Sequence, residues 1–144
     1  MDHVNDPDLV RALLTEPATW AVVGLGPNRA RTAYGVAGWL QDRLGMTVVP
    51  VHPAAAAVHG RPGYARLADV PDQPVRVVDC FVNSTLVGTV VDQAIAERER
   101  LGIEAVWLQL GVVDEAAARR ARAAGLGVVM DTCPVIEWQR LDHG

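Results

Sequence analysis

Five short apolar runs decide what this chain can fold into: Trp20–Val23, Met46–Val51, Val75–Val82, Ala105–Leu110 and Leu126–Met130. None alternates apolar with polar residues as a half-solvated strand would, so each reads as a strand buried on both faces. Stretches with helical spacing separate most of them, at about Thr32 to Leu44, after Ser84, and from Asp114 to Gly125. Strands covered on both faces and alternating with helices make a parallel sheet, and right-handed crossovers put helices on either side of it. The predicted architecture is α/β: a single doubly wound, Rossmann-like domain with a mainly parallel sheet of five or six strands.

Local signals mark the element ends. Asp6 can cap a helix that starts at Pro7 and repeats Leu9, Leu13 and Leu14, so residues 1–18 are expected to form a helix packed on a domain of residues 19–144. Gly45 stops the next helix as a left-handed residue. Between Ala54 and Pro74 the glycines and prolines leave room for a short helix and a turn, and the Ala54–Ala57 run reads as surface helix. Ser84 offers an N-cap to a helix with Leu86, Val87, Val90, Val91, Ala94 and Ile95 on one face, ended by Gly102. Asp114 caps a helix whose inner face is Ala117, Ala118, Ala121 and Ala124, and Thr132-Cys133-Pro134 opens the last one.

Composition excludes several classes. With 144 residues, half of them hydrophobic and 21% charged, the chain suits one packed core and not a disordered segment. The net charge is −4, and all 13 basic residues are arginine. Each cation is thus a planar fork suited to phosphate or carboxylate, but the acidic total disfavours a nucleic-acid surface. Any anionic ligand must be held by a local cluster. The polar start Met1–Asp6 lacks a signal-peptide pattern, and no run approaches the ~18 residues of a membrane span. Cys80 and Cys133 form neither a disulfide framework nor zinc spacing. A reduced, cytoplasmic protein is expected.

Ligands of such a sheet bind beyond the carboxyl ends of its strands. After the first strand stands Gly24-Leu25-Gly26-Pro27-Asn28-Arg29, half of a dinucleotide fingerprint with arginine at the position usually held by a third small residue. A tight strand-to-helix turn explains the two glycines without a ligand, whereas Arg29 and Arg31 in one short loop can neutralise phosphate oxygens. An NAD site would add an acid at the end of the second strand, yet no carboxylate lies between Leu44 and Ala57, and no arginine suited to NADP lies near Val51-His52-Pro53.

These residues, with Val78-Asp79-Cys80-Phe81, Val106-Trp107-Leu108-Gln109-Leu110-Gly111 and Val129-Met130-Asp131-Thr132-Cys133-Pro134, resemble the small stand-alone CoA-binding proteins with a Rossmann fold. That family is related to the CoA-binding domain of the succinyl-CoA synthetase alpha chain, and the resemblance runs from about Thr19 to Leu141. It implies that the adenosine diphosphate part of CoA lies over Gly24, Leu25, Gly26, Pro27, Asn28 and Arg29 and against His52 and Pro53. Phe81, Val82 and Asn83, with Gln109 and Gly111, would complete the pocket. The chain departs from the family pattern at Gly26, Asn28, His52, Val82 and Thr132, where serine, lysine, asparagine and two arginines are frequent. The resemblance also implies that ligase chemistry belongs to a second domain and partner chains.

The remaining polar residues admit plainer roles. His52 can face a ligand or simply pack between prolines, and His59 has no partner pair for a metal. Asp79 interrupts an apolar strand, where a structural hydrogen-bonding role is favoured over ligand contact. Gln109 can reach a ligand or tie loops together. Cys133 opens a helix, a setting that lowers a thiol pKa and would allow a mixed disulfide with the CoA thiol; a small buried residue at the junction is the simpler reading. The group Arg119-Arg120-Arg122 suits a solvated helix end. No nucleophile elbow, carboxylate pair or P-loop is present, so no catalytic residue and no metal ligand is assigned. A non-catalytic CoA or acyl-CoA binder is the leading expectation, ahead of an NAD(P)-linked oxidoreductase or redox regulator and a ligand-free interaction module. A homodimer or a protein partner is left open.

Overall fold

The computed structural model describes residues 2–142. Its elements are α1 (Pro7–Thr15), β1 (Thr19–Val23), α2 (Thr32–Leu44), β2 (Thr47–Val51), β3 (Val77–Cys80), α3 (Val87–Leu101), β4 (Ala105–Leu108), α4 (Glu115–Ala123), β5 (Gly127–Val129) and α5 (Pro134–Asp142), with one 3₁₀ turn at Leu67–Asp69. The five strands form one sheet in the order β2-β1-β3-β4-β5, and every pairing is parallel. This is the doubly wound α/β arrangement that the apolar runs imply.

Residue parity divides the core. Ala21, Val23, Val78, Cys80, Val106 and Leu108 face α3 and α4 with Val87, Val91, Ala94, Ala117 and Ala121. Trp20, Val22, Val77, Ala105, Trp107 and Val129 face α1, α2 and α5 with Val10, Leu13, Leu14, Ala37 and Leu40. The Trp20 and Trp107 rings, 5.5 Å apart, anchor this second layer. Burying side chains of this size contributes roughly 1.5–3 kcal/mol each against the entropy of ordering the chain.

Most element ends follow the local signals. Asp6 accepts from the Asp8 N–H, Gly45 and Gly102 close their helices at φ of +69° and +68°, and Asp114 accepts from the Ala117 N–H at 2.9 Å. Three expectations fail. Ala54–Ala57 forms no helix: Ala55 N–H closes a turn on the His52 carbonyl, and the Gly63 Cα comes so close to the Ala56 carbonyl that a Cβ would stand 2.1 Å from its oxygen. Four alanines cannot offset helix nucleation there. Ser84 does not cap α3. The Asn83 side chain takes that turn, accepting from the Thr85 N–H at 3.2 Å, while Ser84 Oγ accepts from the Val113 N–H at 3.0 Å. Leu86 precedes the helix and is exposed, so it is not on the buried face.

Each outer strand is capped at its carboxyl end. Tyr64 pairs with β2, donating its N–H to the Pro50 carbonyl and accepting from the His52 N–H. At β5 the Asn5 side-chain amide donates to the Met130 carbonyl and accepts from its N–H, both at 2.9 Å. Leu9 lies over Gly127, where a Cβ would come within 2.8 Å of a Leu9 methyl. Among the described residues no helix is long and apolar enough to cross a membrane.

Candidate functional site: the carboxyl edge of the sheet

β1 and β3 are neighbours, but the chain leaves β1 for α2 on one face and β3 for α3 on the other. The crevice between those two departures is where a doubly wound sheet binds ligands. Gly24 forms its floor. Its N–H donates to the Val51 carbonyl at 2.8 Å, its φ is +96°, and a Cβ there would lie 2.3 Å from the Phe81 carbonyl oxygen. Phe81 in turn donates to the Val23 carbonyl at 2.8 Å. Only glycine lets the two strand ends approach this closely.

The His52 ring lies against Gly26, where a Cβ would come within 3.2 Å of Nε2. His52 Nδ1 accepts from the Ala54 N–H at 3.0 Å, which leaves the neutral ring's proton on Nε2. Beyond Gly26 the chain is exposed, and Asn28 organises it: its carboxamide oxygen accepts from the Ala30 N–H and its carbonyl from the Arg31 N–H. α2 then starts with no side-chain cap. Its uncapped N–H groups carry the positive end of the helix dipole. Neither Arg29 nor Arg31 takes part in an ion pair among the described residues, and the Arg29 guanidinium stands 6.0 Å from the Tyr34 ring centroid. An uncapped helix start with two unpaired guanidinium groups fits a phosphate-bearing ligand such as CoA.

The opposite lip is neutral. Phe81 and Val82 are partly buried, Val82 packing on the α3–α4 side of the core. Asn83 is exposed, its carboxamide oxygen engaged by Thr85 and its NH₂ directed away from that bond. Ser84 Oγ joins this lip to the next loop through the Gly111 carbonyl and the Val113 N–H. Gly111, at φ +82°, donates its N–H to Asp131 at 2.7 Å. The loops after β3, β4 and β5 are therefore one hydrogen-bonded unit.

The fold gathers Gly24, Gly26, Pro27, Asn28, Arg29, His52 and Pro53 on the β1–β2 side, and Phe81, Val82, Asn83 and Gly111 on the β3–β4 side. Two candidates change character. The Leu25 side chain is fully buried, so only its backbone can meet a ligand. Gln109 is turned inward, and its amide donates to Asp79 Oδ1 at 2.5 Å. Sequence reading missed Tyr34, which carries the His59 ring at 4.1 Å while His59 Nε2 donates to the Tyr34 carbonyl at 2.7 Å. It also missed Asp131, whose φ of +62° suits an aspartate better than most residues. An aromatic residue in the first turn of α2 and an aspartate just beyond a strand were the available signals.

Beneath the crevice Asp79 is completely buried, and its Oδ2 has no partner. Burial raises its pKa from 3.8 to about 7, against the smaller, opposite effect of the Gln109 hydrogen bond. Burial, and to a lesser degree the same carboxylate, pushes the Cys80 thiol far up. Cys133 is not activated. Burial raises its thiol pKa, outweighing the Val135 and Ile136 N–H groups that act in the other direction, and Asp79 and Glu137 add to the rise. Burial thus outweighs the helix-start effect, in keeping with the simpler reading of Cys133 as a partly buried residue at the junction. No cluster of His, Cys, Asp or Glu among the described residues suits a metal ion. A shallow hollow lined by Asn5, Pro7, Val10, Glu137, Arg140 and Leu141 lies between α1 and α5, beside the end of β5 and not at the β1–α2 loop.

The fold and sequence have known counterparts. A hypothetical protein from Pyrococcus horikoshii OT3 superposes with a TM-score of 0.84 at 33% identity, covering 98% of this chain and 99% of that one. The uncharacterized protein YneT of Bacillus subtilis (strain 168) is 27% identical over 124 residues, 86% of this chain and 87% of its own length. The dinucleotide-forming acetyl-coenzyme A synthetase 1 of Ca. Korarchaeum cryptofilum, solved with phosphate and ADP, matches with a TM-score of 0.68 at 26% identity. That match takes in 85% of this chain but only 27% of the synthetase chain. The family model described as CoA binding domain spans residues 18–139, from just before β1 into α5. On that extent of sequence and structure, the chain belongs to the CoA-binding domain family.

Proposed function

We propose that this chain binds CoA or an acyl-CoA at the carboxyl edge of its sheet and serves as a carrier or sensor without catalysing a reaction on it. The observation that carries the proposal is the β1–α2 loop. Gly24 and Gly26 bring the backbone close, α2 begins uncapped, and Arg29 and Arg31 are free to pair with phosphate oxygens. Family membership supports CoA as the ligand over other phosphate-bearing molecules. When bound, CoA supplies a thiol that can carry an acyl group.

In this reading the diphosphate lies over Gly24–Arg31, His52 Nε2–H donates to a ligand oxygen, and Asn83 and Gly111 border the pantetheine arm. Residues 19–144 make the binding domain, and residues 1–18 brace it through Val10, Leu13 and Leu14. The proposal assigns the protein to the cytoplasm, where both cysteines stay reduced. NAD and NADP are disfavoured because β2 ends at Val51 with neither an acid nor an arginine at the following turn. Calorimetric titration with CoA, NAD and NADP tests this, together with mass spectrometry of the protein as purified. CoA binding with no response to the dinucleotides is expected. A dinucleotide bound more tightly than CoA would favour a redox role, and no binding of any of the three would favour a ligand-free interaction module.

A further inference from the structure

Four large hydrophobic side chains are exposed among the described residues, and three belong to the carboxyl edge of β3 and β4. Leu86 is 55% exposed, Leu110 63% and Val113 42%. The loops that carry them are tied together. Ser84 bonds the Gly111 carbonyl and the Val113 N–H, and Asp131 holds the Gly111 N–H. The patch is therefore preformed, with its backbone fixed before anything binds. Its loops, residues 81–86 and 109–114, contain no arginine and only one charged residue, Asp114, which is engaged as the cap of α4. Arg29 and Arg31 follow β1 in the loop to α2, and the end of β1 lies two strand spacings, or about 10 Å, from the end of β4.

The edge of the sheet is thus cationic at one end and apolar at the other. A ligand that matches it carries phosphates at one end and an apolar group at the other, joined by a neutral arm longer than that spacing. CoA itself ends in a small polar thiol, and only a thioester of it carries such a group. We propose that Leu86, Leu110 and Val113 form an acyl-recognition rim, so that the site selects acyl thioesters with an aliphatic chain of a few carbons over free CoA. This inference rests on the CoA-binding reading and adds the substrate class.

Fully withdrawing one methylene from water strengthens binding about fourfold. An open rim shields only part of each carbon, so butyryl-CoA is expected to bind about tenfold more tightly than CoA. Titration of the wild-type protein with CoA, acetyl-CoA and butyryl-CoA measures this directly, and Leu110→Ser with Val113→Ser removes the rim. Both side chains are exposed, so the variant should melt at the wild-type temperature; Leu86→Ser repeats the test from the other loop. The expected result is unchanged CoA affinity with the butyryl advantage reduced to within about twofold. Equal wild-type affinity for CoA and butyryl-CoA would overturn the rim and leave the CoA reading intact. An advantage that survives in both variants would also overturn it, since the chain would then be held elsewhere. Failure of the wild type to bind any of the three would overturn both readings.

Discussion

Replacing Asp79 by asparagine should stabilise the protein, increasingly so as pH rises. In the folded state the carboxyl has no counter-charge beside it, one hydrogen bond from Gln109, and a second oxygen with no partner. Its pKa is raised from 3.8 to about 7, chiefly by burial. The unfolded chain therefore releases this proton near pH 4 and the folded chain near pH 7. Between those values the unfolded state binds fewer protons, so the Asp79 contribution turns against folding as pH rises through that window. Above it the penalty is constant at about 4 kcal/mol. Below pH 4 it is absent.

Asparagine keeps the shape and an oxygen to accept from Gln109, and its NH₂ takes the place of a group that is already unpartnered, so its neutral cost is small. Urea unfolding of both proteins from pH 4.5 to 8.5 isolates the effect, because every other titrating group cancels in the difference. Asp79→Asn should be more stable by about 1 kcal/mol at pH 4.5 and about 4 kcal/mol at pH 8.5, with equal m-values. A difference that does not change with pH would refute the reasoning, as would an asparagine variant less stable at pH 8.5.

Other outcomes follow from the site and its supports. Arg29→Ala should weaken CoA binding about tenfold and flatten its dependence on salt, as loss of an exposed charge-assisted contact requires; calorimetry at two ionic strengths checks it. Gly24→Ala should cost about 3 kcal/mol or more, because its Cβ would meet the Phe81 carbonyl oxygen at 2.3 Å on a backbone at φ +96°. A wild-type melting temperature for that variant would contradict the close approach. Cys133 should react with iodoacetamide more slowly than glutathione does at pH 8, because burial raises its thiol pKa; rapid labelling would contradict that rise.

The sheet was legible because a buried parallel strand needs an unbroken apolar run, and α2 because Thr32–Leu44 carries helical spacing up to a glycine that stops it. Cap assignment at α3 failed for a reason of competition. Asn83 and Ser84 both offer a side-chain oxygen, and only the loop from β4 draws Ser84 away. Ala54–Ala57 misled because alanine's helix propensity acts over many residues, and here the run is four long, with Pro53 before it and Gly60, Pro62 and Gly63 soon after. At the site, the glycines and arginines of the β1–α2 loop were visible as a motif. The inward turn of Gln109 was not. Asp79 pairs in register with Trp107, and residues two apart on a strand share a face, so Gln109 meets Asp79 only once β3 and β4 are aligned. The loop carrying Leu110 was read for its glutamine and glycine, and the leucine became informative only when its exposure was known.

Asn5 and Tyr64 carry a consequence for how this molecule meets others. A sheet normally ends in unsatisfied donors and acceptors that invite another chain to extend it. Here one side chain imitates a peptide group beside Met130, and one stray residue of backbone does the same beside Pro50 and His52. At its carboxyl end the sheet is terminated on both flanks. Asn5 lies outside the segment that the family model matches, residues 18–139. A protein that docks beside the candidate crevice would find strand addition blocked at that end of each edge and would meet the loop tips, the surface proposed above for the ligand.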